Sequence, residues 1–135
     1  MAALRDALDA VGDRWKLLII ASLLDGPRRF GDLEEQLVDI APNVLSARLR
    51  ALEGDGLVVA RPYQERPPRY TYELTEAARG LSRPLDMLAG WAASSGPAGH
   101  APLHRDCGTA LEAGWYCVTC ERPVSETEAE ELDFA

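Results

Sequence analysis

Apolar residues recur along most of the chain at the spacing of helices, and the breaks between the runs fall on glycine, proline and short acidic turns. Leu4, Leu8 and Val11 stand at i, i+4 and i+7 and predict a first helix. Gly12 interrupts it, and Asp13 is placed to cap a second helix that runs through Trp15, Leu18, Ile19, Ala21 and Leu23, apolar over most of its surface and therefore buried. Asp25-Gly26-Pro27 stops that helix. A short helix over 32–37 follows, with Leu33 and Leu37 on one face, then a tight connector, Val38-Asp39-Ile40-Ala41. Pro42 suits the first turn of the next helix, where its missing N–H would have no helical partner. Leu45, Leu49 and Leu52 form the apolar stripe of this helix, which spans 42–54 and ends at Gly54 and Gly56.

Beyond the glycines the period changes. Residues 57–61, Leu57-Val58-Val59-Ala60-Arg61, read as a strand, and Tyr70-Thr71-Tyr72-Glu73-Leu74 alternates as its hairpin partner. Pro62, Pro67 and Pro68 lie between them, too many for a strand interior, which predicts a loop. Thr75 can cap a last helix from Glu76 to about Ala92, weakened or kinked at Gly80 and Pro84.

Helix, tight connector, helix and hairpin, in that order, make a winged helix-turn-helix, with the helix over 42–54 as the candidate reader of the major groove. If Leu45, Leu49 and Leu52 face the core, helical spacing turns Asn43, Ser46, Ala47 and Arg50 outward, with Gly54 close by. Arg can pair with guanine, Asn with adenine, and the methyl of Ala can touch thymine. Arg48 flanks that face. The wing over 61–70 adds Arg61, Arg66 and Arg69, which suit phosphates or the minor groove. Two plainer readings stand beside this one: an arginine on a helix surface is commonly only solvated, and winged helices also serve as protein-docking modules.

The net charge of −8 at first opposes a nucleic-acid partner. Its distribution does not: residues 1–98 carry 12 basic against 14 acidic side chains, and residues 99–135 carry 2 against 8, so the excess acid sits mostly in the tail. The longest mostly apolar stretch, 17–24, is far short of the ~18–20 residues of a membrane span, and Asp6 and Asp9 interrupt any signal-like run at the start. A cytoplasmic location is the expectation, and there three cysteines do not make a disulfide framework.

Residues 11–91 resemble the HxlR family of bacterial regulators, a branch of the MarR-like winged helices. The resemblance rests on Val11-Gly12-Asp13-Arg14-Trp15-Lys16-Leu17-Leu18-Ile19-Ile20, on Gly26-Pro27-Arg28-Arg29-Phe30-Gly31-Asp32-Leu33, and on the run from Leu45 through Leu49-Arg50-Ala51-Leu52-Glu53-Gly54-Asp55-Gly56-Leu57-Val58. Pro67-Pro68-Arg69-Tyr70-Thr71-Tyr72-Glu73-Leu74-Thr75 matches in the wing, and Leu85-Asp86-Met87-Leu88-Ala89-Gly90-Trp91 at the end. It implies dimeric DNA binding, with the two ends of the domain forming the dimer contact. Two departures stand out. Ala41 replaces the Ser or Thr that often caps the recognition helix, and residues 1–20 hold none of the amino-terminal cysteine found in redox-sensing members.

Stripes on the first and last helices, Leu4, Leu8 and Val11 with Leu81, Leu85, Leu88 and Trp91, are more than one small domain readily covers, so a two-fold dimer is expected to bury them. Trp15, Leu18, Met87 and Trp91 leave room for a small-molecule effector at that interface, although core packing accounts for them as simply.

Small residues, Gly and Pro over 94–102 read as a linker, which divides the chain into a domain over 1–93, a small unit over 103–124 and an acidic tail over 125–135. The small unit carries His104-x2-Cys107 and, nine residues on, Cys117-x2-Cys120. Two x2 pairs on short turns can supply the four ligands of tetrahedral Zn2+, and a unit too short for a core would draw its folding energy from the metal. It resembles a small zinc ribbon with one cysteine replaced by histidine. A Cys117–Cys120 redox couple and a metal-free tail are the alternatives. His100 is a further candidate ligand without the x2 spacing.

The expected fold is thus mainly α with a small antiparallel β-hairpin, a winged helix-turn-helix followed by a small zinc-ribbon-like unit. The expected function is a sequence-specific DNA-binding transcriptional regulator, a repressor acting as a homodimer. The alternative is a winged-helix protein-interaction module with a metal- or redox-responsive tail. Both histidines lie in the linker or tail and no nucleophile–base–orienter set is present, so an enzyme is not expected.

Overall fold

A computed structural model of the chain describes residues 1–95, 103–111 and 114–129. They divide into two compact units, Met1–Leu85 and Asp86–Ala135. The first contains α1 (Ala2–Val11), α2 (Arg14–Leu24), β1 (Arg28–Arg29), α3 (Phe30–Gln36), α4 (Pro42–Gly54), β2 (Val58–Glu65), β3 (Pro68–Leu74) and α5 (Glu76–Arg79). It also takes in the start of α6 (Ser82–Ser95), within which the boundary between the units falls. The second contains the rest of α6 with β4 (Tyr116–Cys117), β5 (Arg122–Pro123) and α7 (Glu126–Ala129). Most of the linker read over 94–102, and the last residues of the acidic tail, lie outside the described residues.

Asp13 caps α2 as its position suggests. Its backbone is extended, and Oδ1 accepts the N–H groups of Trp15 at 3.0 Å and Lys16 at 3.2 Å. Two helix-initiating donors are thereby satisfied. Ile19, Ile20 and Leu23 of α2 are fully buried, and the buried Ser22 hydroxyl is satisfied by donating to the Leu18 carbonyl at 3.0 Å. Gly26, at φ 138°, turns the chain out of α2 in a conformation that side-chain-bearing residues rarely adopt.

Helix α3 begins two residues before the expected start. Asp32, where the helix was expected to begin, sits inside the first turn and reaches back to accept the Arg29 N–H at 2.9 Å. Helix α4 has the expected bounds. Its N-cap, Ala41, makes no side-chain bond, and Pro42 occupies the first turn. Leu45, Leu49 and Leu52 are buried against Ile19, Ile20, Leu23 and Leu33 in one core, to which Val58, Leu74 and Ala78 also belong. Each of these leucine, isoleucine and valine side chains contributes roughly 1.5–3 kcal/mol of burial free energy.

The sheet has the order β1-β3-β2, all antiparallel. Two expectations change here. First, β2 continues through Pro62 to Glu65, where a loop was expected. The strand lies at the edge of the sheet, and its register shifts between Pro62 and Gln64, so the missing N–H falls at an irregularity rather than in a central ladder. Pro68 is tolerated as the first residue of β3. Second, the hairpin gains a third strand, because Arg28 and Arg29 pair with Tyr72 and Thr71. A two-residue strand carries no alternation that a sequence could reveal.

The single helix expected from Glu76 to about Ala92 is two. Thr75 caps α5, its hydroxyl accepting the Ala78 N–H at 3.3 Å. The helix stops at Gly80, and α6 restarts at Ser82 with Pro84 in its first turn. A proline there in a continuous helix would lack one hydrogen bond and collide with the Gly80 carbonyl; in a first turn it does neither.

In the second unit, Leu103 bridges Ala110, and β4 pairs with β5. Ser125 and Glu128 cap α7 reciprocally: Ser125 Oγ accepts the Glu128 N–H at 3.3 Å, and the Glu128 carboxylate accepts the Ser125 N–H at 3.0 Å. None of the described residues in 103–129 is buried.

Two ion pairs run from the start of α2 to α4. Asp13 Oδ2 accepts from Arg48 Nη2 at 2.9 Å, and Lys16 Nζ donates to Asp55 Oδ2 at 2.9 Å and to the Ala10 carbonyl at 2.7 Å. The Arg48 hydrogen bond holds the Asp13 carboxyl below the usual carboxylate range. A depressed carboxylate stabilises the fold above its unfolded pKa of about 3.9, and that contribution is lost as pH falls through the folded value. Asp13→Ala is expected to lower stability by about 1–2 kcal/mol, chiefly through the cap, as read by chemical denaturation at neutral pH. Asp13→Asn keeps a capping oxygen and loses less, and its deficit relative to wild type is expected to shrink as the pH is taken below about 4.

Candidate nucleic-acid interface

Because one side of α4 is filled with leucine, the other side is exposed. Asn43, Ala47 and Arg50 lie on it, with Ser46 half-buried beside them. Arg50 is folded along the helix, one turn back, where Nη2 donates to Ser46 Oγ at 2.9 Å. This surface bond presets the direction of the guanidinium without pairing its charge with a carboxylate.

Arg48 does not share that position. Its guanidinium is half-buried in the ion pair with Asp13, and its Nε is buried without a hydrogen-bond partner among the described residues. It positions α4 against α2 rather than facing outward with Arg50.

The three wing arginines are also unlike one another. Arg61 is ion-paired with Glu73 across the hairpin. Arg66, between β2 and β3, is exposed, and its carbonyl accepts from Gln64 Nε2 at 3.0 Å. Arg69, at the start of β3, is exposed as well. Among the described residues neither Arg66 nor Arg69 takes part in an ion pair.

The third strand brings in residues that the sequence reading of the site left out. Arg29 stacks over the ring of Tyr63, its guanidinium carbon 4.7 Å from the ring centre. Both line a groove of about 440 Å³ between the start of α3 and the wing, together with Phe30, Asp32, Arg69 and Tyr70. Trp15, Leu18, Met87 and Trp91 are not among its lining residues. Tyr72 also lines it. Burial, and next the Glu53 carboxylate on α4, raise the Tyr72 phenol above its ordinary value. The signal for Arg29 was the pair Arg28-Arg29 after a Gly-Pro stop, but only pairing with β3 places it by the wing.

The expected dimer residues separate into two sets. Val11 is buried in the core, and Leu81 and Leu85 pack partly buried against it. Leu4 and Leu8 on α1 are each 56% exposed, and Leu88 and Trp91 on α6 are 51% and 65% exposed.

The four metal-ligand candidates form two pairs. His104 Nδ1 lies 3.3 Å from Cys107 Sγ, and Cys107 Sγ lies 3.2 Å from Thr109 Oγ1. Cys117 and Cys120 form the other pair. A hydrogen bond from the Cys120 backbone, and then the Cys120 thiol, lower the Cys117 thiol; the same contact raises Cys120. Among the described residues no three His, Cys, Asp or Glu side chains converge as a metal site. His100 lies outside the described residues. No described helix is long and apolar enough to cross a membrane.

A family model described as HxlR-like helix-turn-helix matches residues 10–99. The uncharacterized HTH-type transcriptional regulator YtcD of Bacillus subtilis is 37% identical over 87 residues, covering 64% of this chain and 69% of its own length. The uncharacterized HTH-type transcriptional regulator Rv3095 of Mycobacterium tuberculosis is 37% identical over 123 residues, covering 88% of this chain and 77% of its own. That similarity therefore reaches beyond residue 99. Among solved structures, the redox regulator HypR in its reduced form superposes with a TM-score of 0.65 at 31% identity, over 69% of this chain and 92% of that one. All three cysteines of the present chain lie beyond the residues matched by the family model. With the helix pair, the wing and the matched residues in agreement, the chain belongs to the HxlR-like helix-turn-helix family of transcriptional regulators, which are not enzymes.

Proposed function

We propose that this regulator binds operator DNA as a homodimer and represses transcription, with α4 in the major groove and the β2–β3 hairpin on the backbone or in the adjacent minor groove. The observation that carries this reading is the exposed face of α4, where Asn43, Ala47 and Arg50 stand clear of a leucine core with Arg66 and Arg69 on the neighbouring hairpin. Arg50 is the residue best suited to read a base. It can leave Ser46 for the N7 and O6 atoms of guanine at the cost of one exposed hydrogen bond. Arg66 and Arg69 are suited to phosphates, which position the protein without reading sequence. Arg61, already paired with Glu73, would have to exchange that partner. Arg48 acts through the placement of α4.

A second copy is the natural cover for the exposed apolar residues of α1 and α6. Two-fold symmetry would then present two copies of α4 to successive major grooves, about one DNA turn apart. This role places the protein in the cytoplasm, with the DNA. A small molecule is the expected input to the DNA-binding domain, because residues 10–99 contain no cysteine to act as a thiol sensor.

Arg50→Ala is expected to weaken operator binding by about 5- to 150-fold, corresponding to the ~1–3 kcal/mol of one bidentate base contact. It should leave the unfolding midpoint nearly unchanged, since the side chain is exposed. Arg66→Ala is expected to weaken operator and unrelated DNA alike and to reduce the slope of log K against log salt by about one. Electrophoretic or anisotropy titrations at several salt concentrations read both. Binding to the DNA upstream of its own gene that shows no salt dependence, or no binding at all, would favour a protein-docking role for the winged helix. Sedimentation is expected to give a species of twice the 14.7 kDa chain mass, and a monomer at micromolar concentration would refute the dimer.

A further inference from the structure

The two cysteine-bearing turns of the second unit are built alike. In each, a side chain able to bind metal stands three residues before a cysteine, and the residue after that cysteine has left-handed backbone. His104-x2-Cys107 is followed by Gly108 at φ 70°, and Cys117-x2-Cys120 by Glu121 at φ 53°. Each turn is closed by antiparallel pairing of its flanks. Leu103 bridges Ala110, with the His104 N–H donating to the Thr109 carbonyl and the Gly108 N–H to the His104 carbonyl, both at 2.8 Å. Cys117 pairs with Arg122, and the Val124 N–H donates to the Trp115 carbonyl at 2.8 Å. Glycine takes a left-handed conformation freely; glutamate does not, and Glu121 holds it at the same place in the second turn. Repetition of this geometry at a residue disfavoured for it points to a requirement of the turn itself. A left-handed residue after the second ligand lets the chain fold back while both ligand side chains stay on one side.

Among the described residues these turns have no apolar core beneath them. None of the described residues in 103–129 is buried, and Leu103, Leu111, Trp115, Tyr116 and Val118 are all exposed. A unit of this size with hairpins and no buried side chain among its described residues needs another source of folding free energy, and coordination of a metal is one such source. Three thiols and an imidazole are the soft and borderline donors of a closed tetrahedral zinc site. Each turn already holds one half of the set, with the His104 ring against Cys107 and the Cys117 thiol against Cys120.

We propose that His104, Cys107, Cys117 and Cys120 bind one Zn2+ per chain and that the ion joins the two turns into a single ribbon. Binding would replace thiol protons with metal–sulfur bonds, releasing to solvent a proton from each cysteine that was protonated beforehand, so affinity falls as pH falls. The four ligands are residues of the second unit, none of them among those proposed to contact DNA, and metal binding can be tested without DNA.

The test uses full-length protein purified without chelator. Elemental analysis is expected to find about one zinc per chain. Zinc-stripped, reduced protein titrated with Co2+ is expected to develop the intense visible bands of a tetrahedral site together with thiolate-to-cobalt charge-transfer absorption. Cys107→Ser, Cys117→Ser and His104→Ala should each remove or strongly weaken metal binding, while His100→Ala should retain it. Protein that carries no zinc and gives no tetrahedral cobalt spectrum would overturn the proposal. A Cys117–Cys120 disulfide in protein that still refuses cobalt after reduction would overturn it in favour of a redox couple. Loss of metal in His100→Ala with retention in His104→Ala would overturn the ligand set.

Discussion

Burial of one face of α4 is the constraint on which the rest depends. Leu45, Leu49 and Leu52 enter the core beside Ile19, Ile20, Leu23 and Leu33. Their removal from water fixes the rotation of the helix about its axis, because helical spacing allows only one face to be buried at a time. The exposed set, Asn43, Ala47 and Arg50, is a consequence of that rotation. The same core takes in Val58 of β2 and Leu74 of β3, so the packing that orients the candidate reading helix also seats the wing beside it.

Electrostatics refines a placement that packing has set. The first turn of α2 holds α4 at two points, through Asp13 to Arg48 and through Lys16 to Asp55. The Asp13 carboxylate serves two purposes with its two oxygens: one caps α2 and the other takes the Arg48 guanidinium. This explains in physical terms why Gly12-Asp13-Arg14-Trp15-Lys16 stands among the stretches that carry the family resemblance, although none of those side chains belongs to the reading face. It also separates arginines that a sequence cannot rank. Arg48 and Arg61 have carboxylate partners inside the chain, whereas Arg50, Arg66 and Arg69 are exposed without one among the described residues.

Much of the fold was legible because it is built from strong local signals. The capping role of Asp13, the stop at Gly26, the uncapped start of α4 at Ala41-Pro42 and the leucine stripe all follow from residue chemistry over a few positions. The misreadings share a cause. Pro62 argues against a strand unless the strand is an edge with an irregular register, which is a property of the sheet. Arg28-Arg29 is too short to show alternation and becomes a strand only because β3 lies next to it. Gly80 and Pro84 signalled weakness in the last helix, but whether it would kink or divide depended on which turn Pro84 could occupy without a clash.

The sequence by itself determined the order and type of the main elements, the identity of the candidate reading helix and the spacing of the His and Cys pairs. Periodicity, caps and glycine or proline stops act within a few residues, and no partner is needed to recognise them. The tertiary structure decided which members of each set remain available. It withdrew Arg48 into an ion pair, buried Val11 while leaving Leu4 and Leu8 exposed, and brought Arg29 and Tyr63 to one groove with Arg69. Those outcomes depend on contacts between segments far apart in the chain, and an arginine or a leucine carries no local mark of the partner that folding will bring to it.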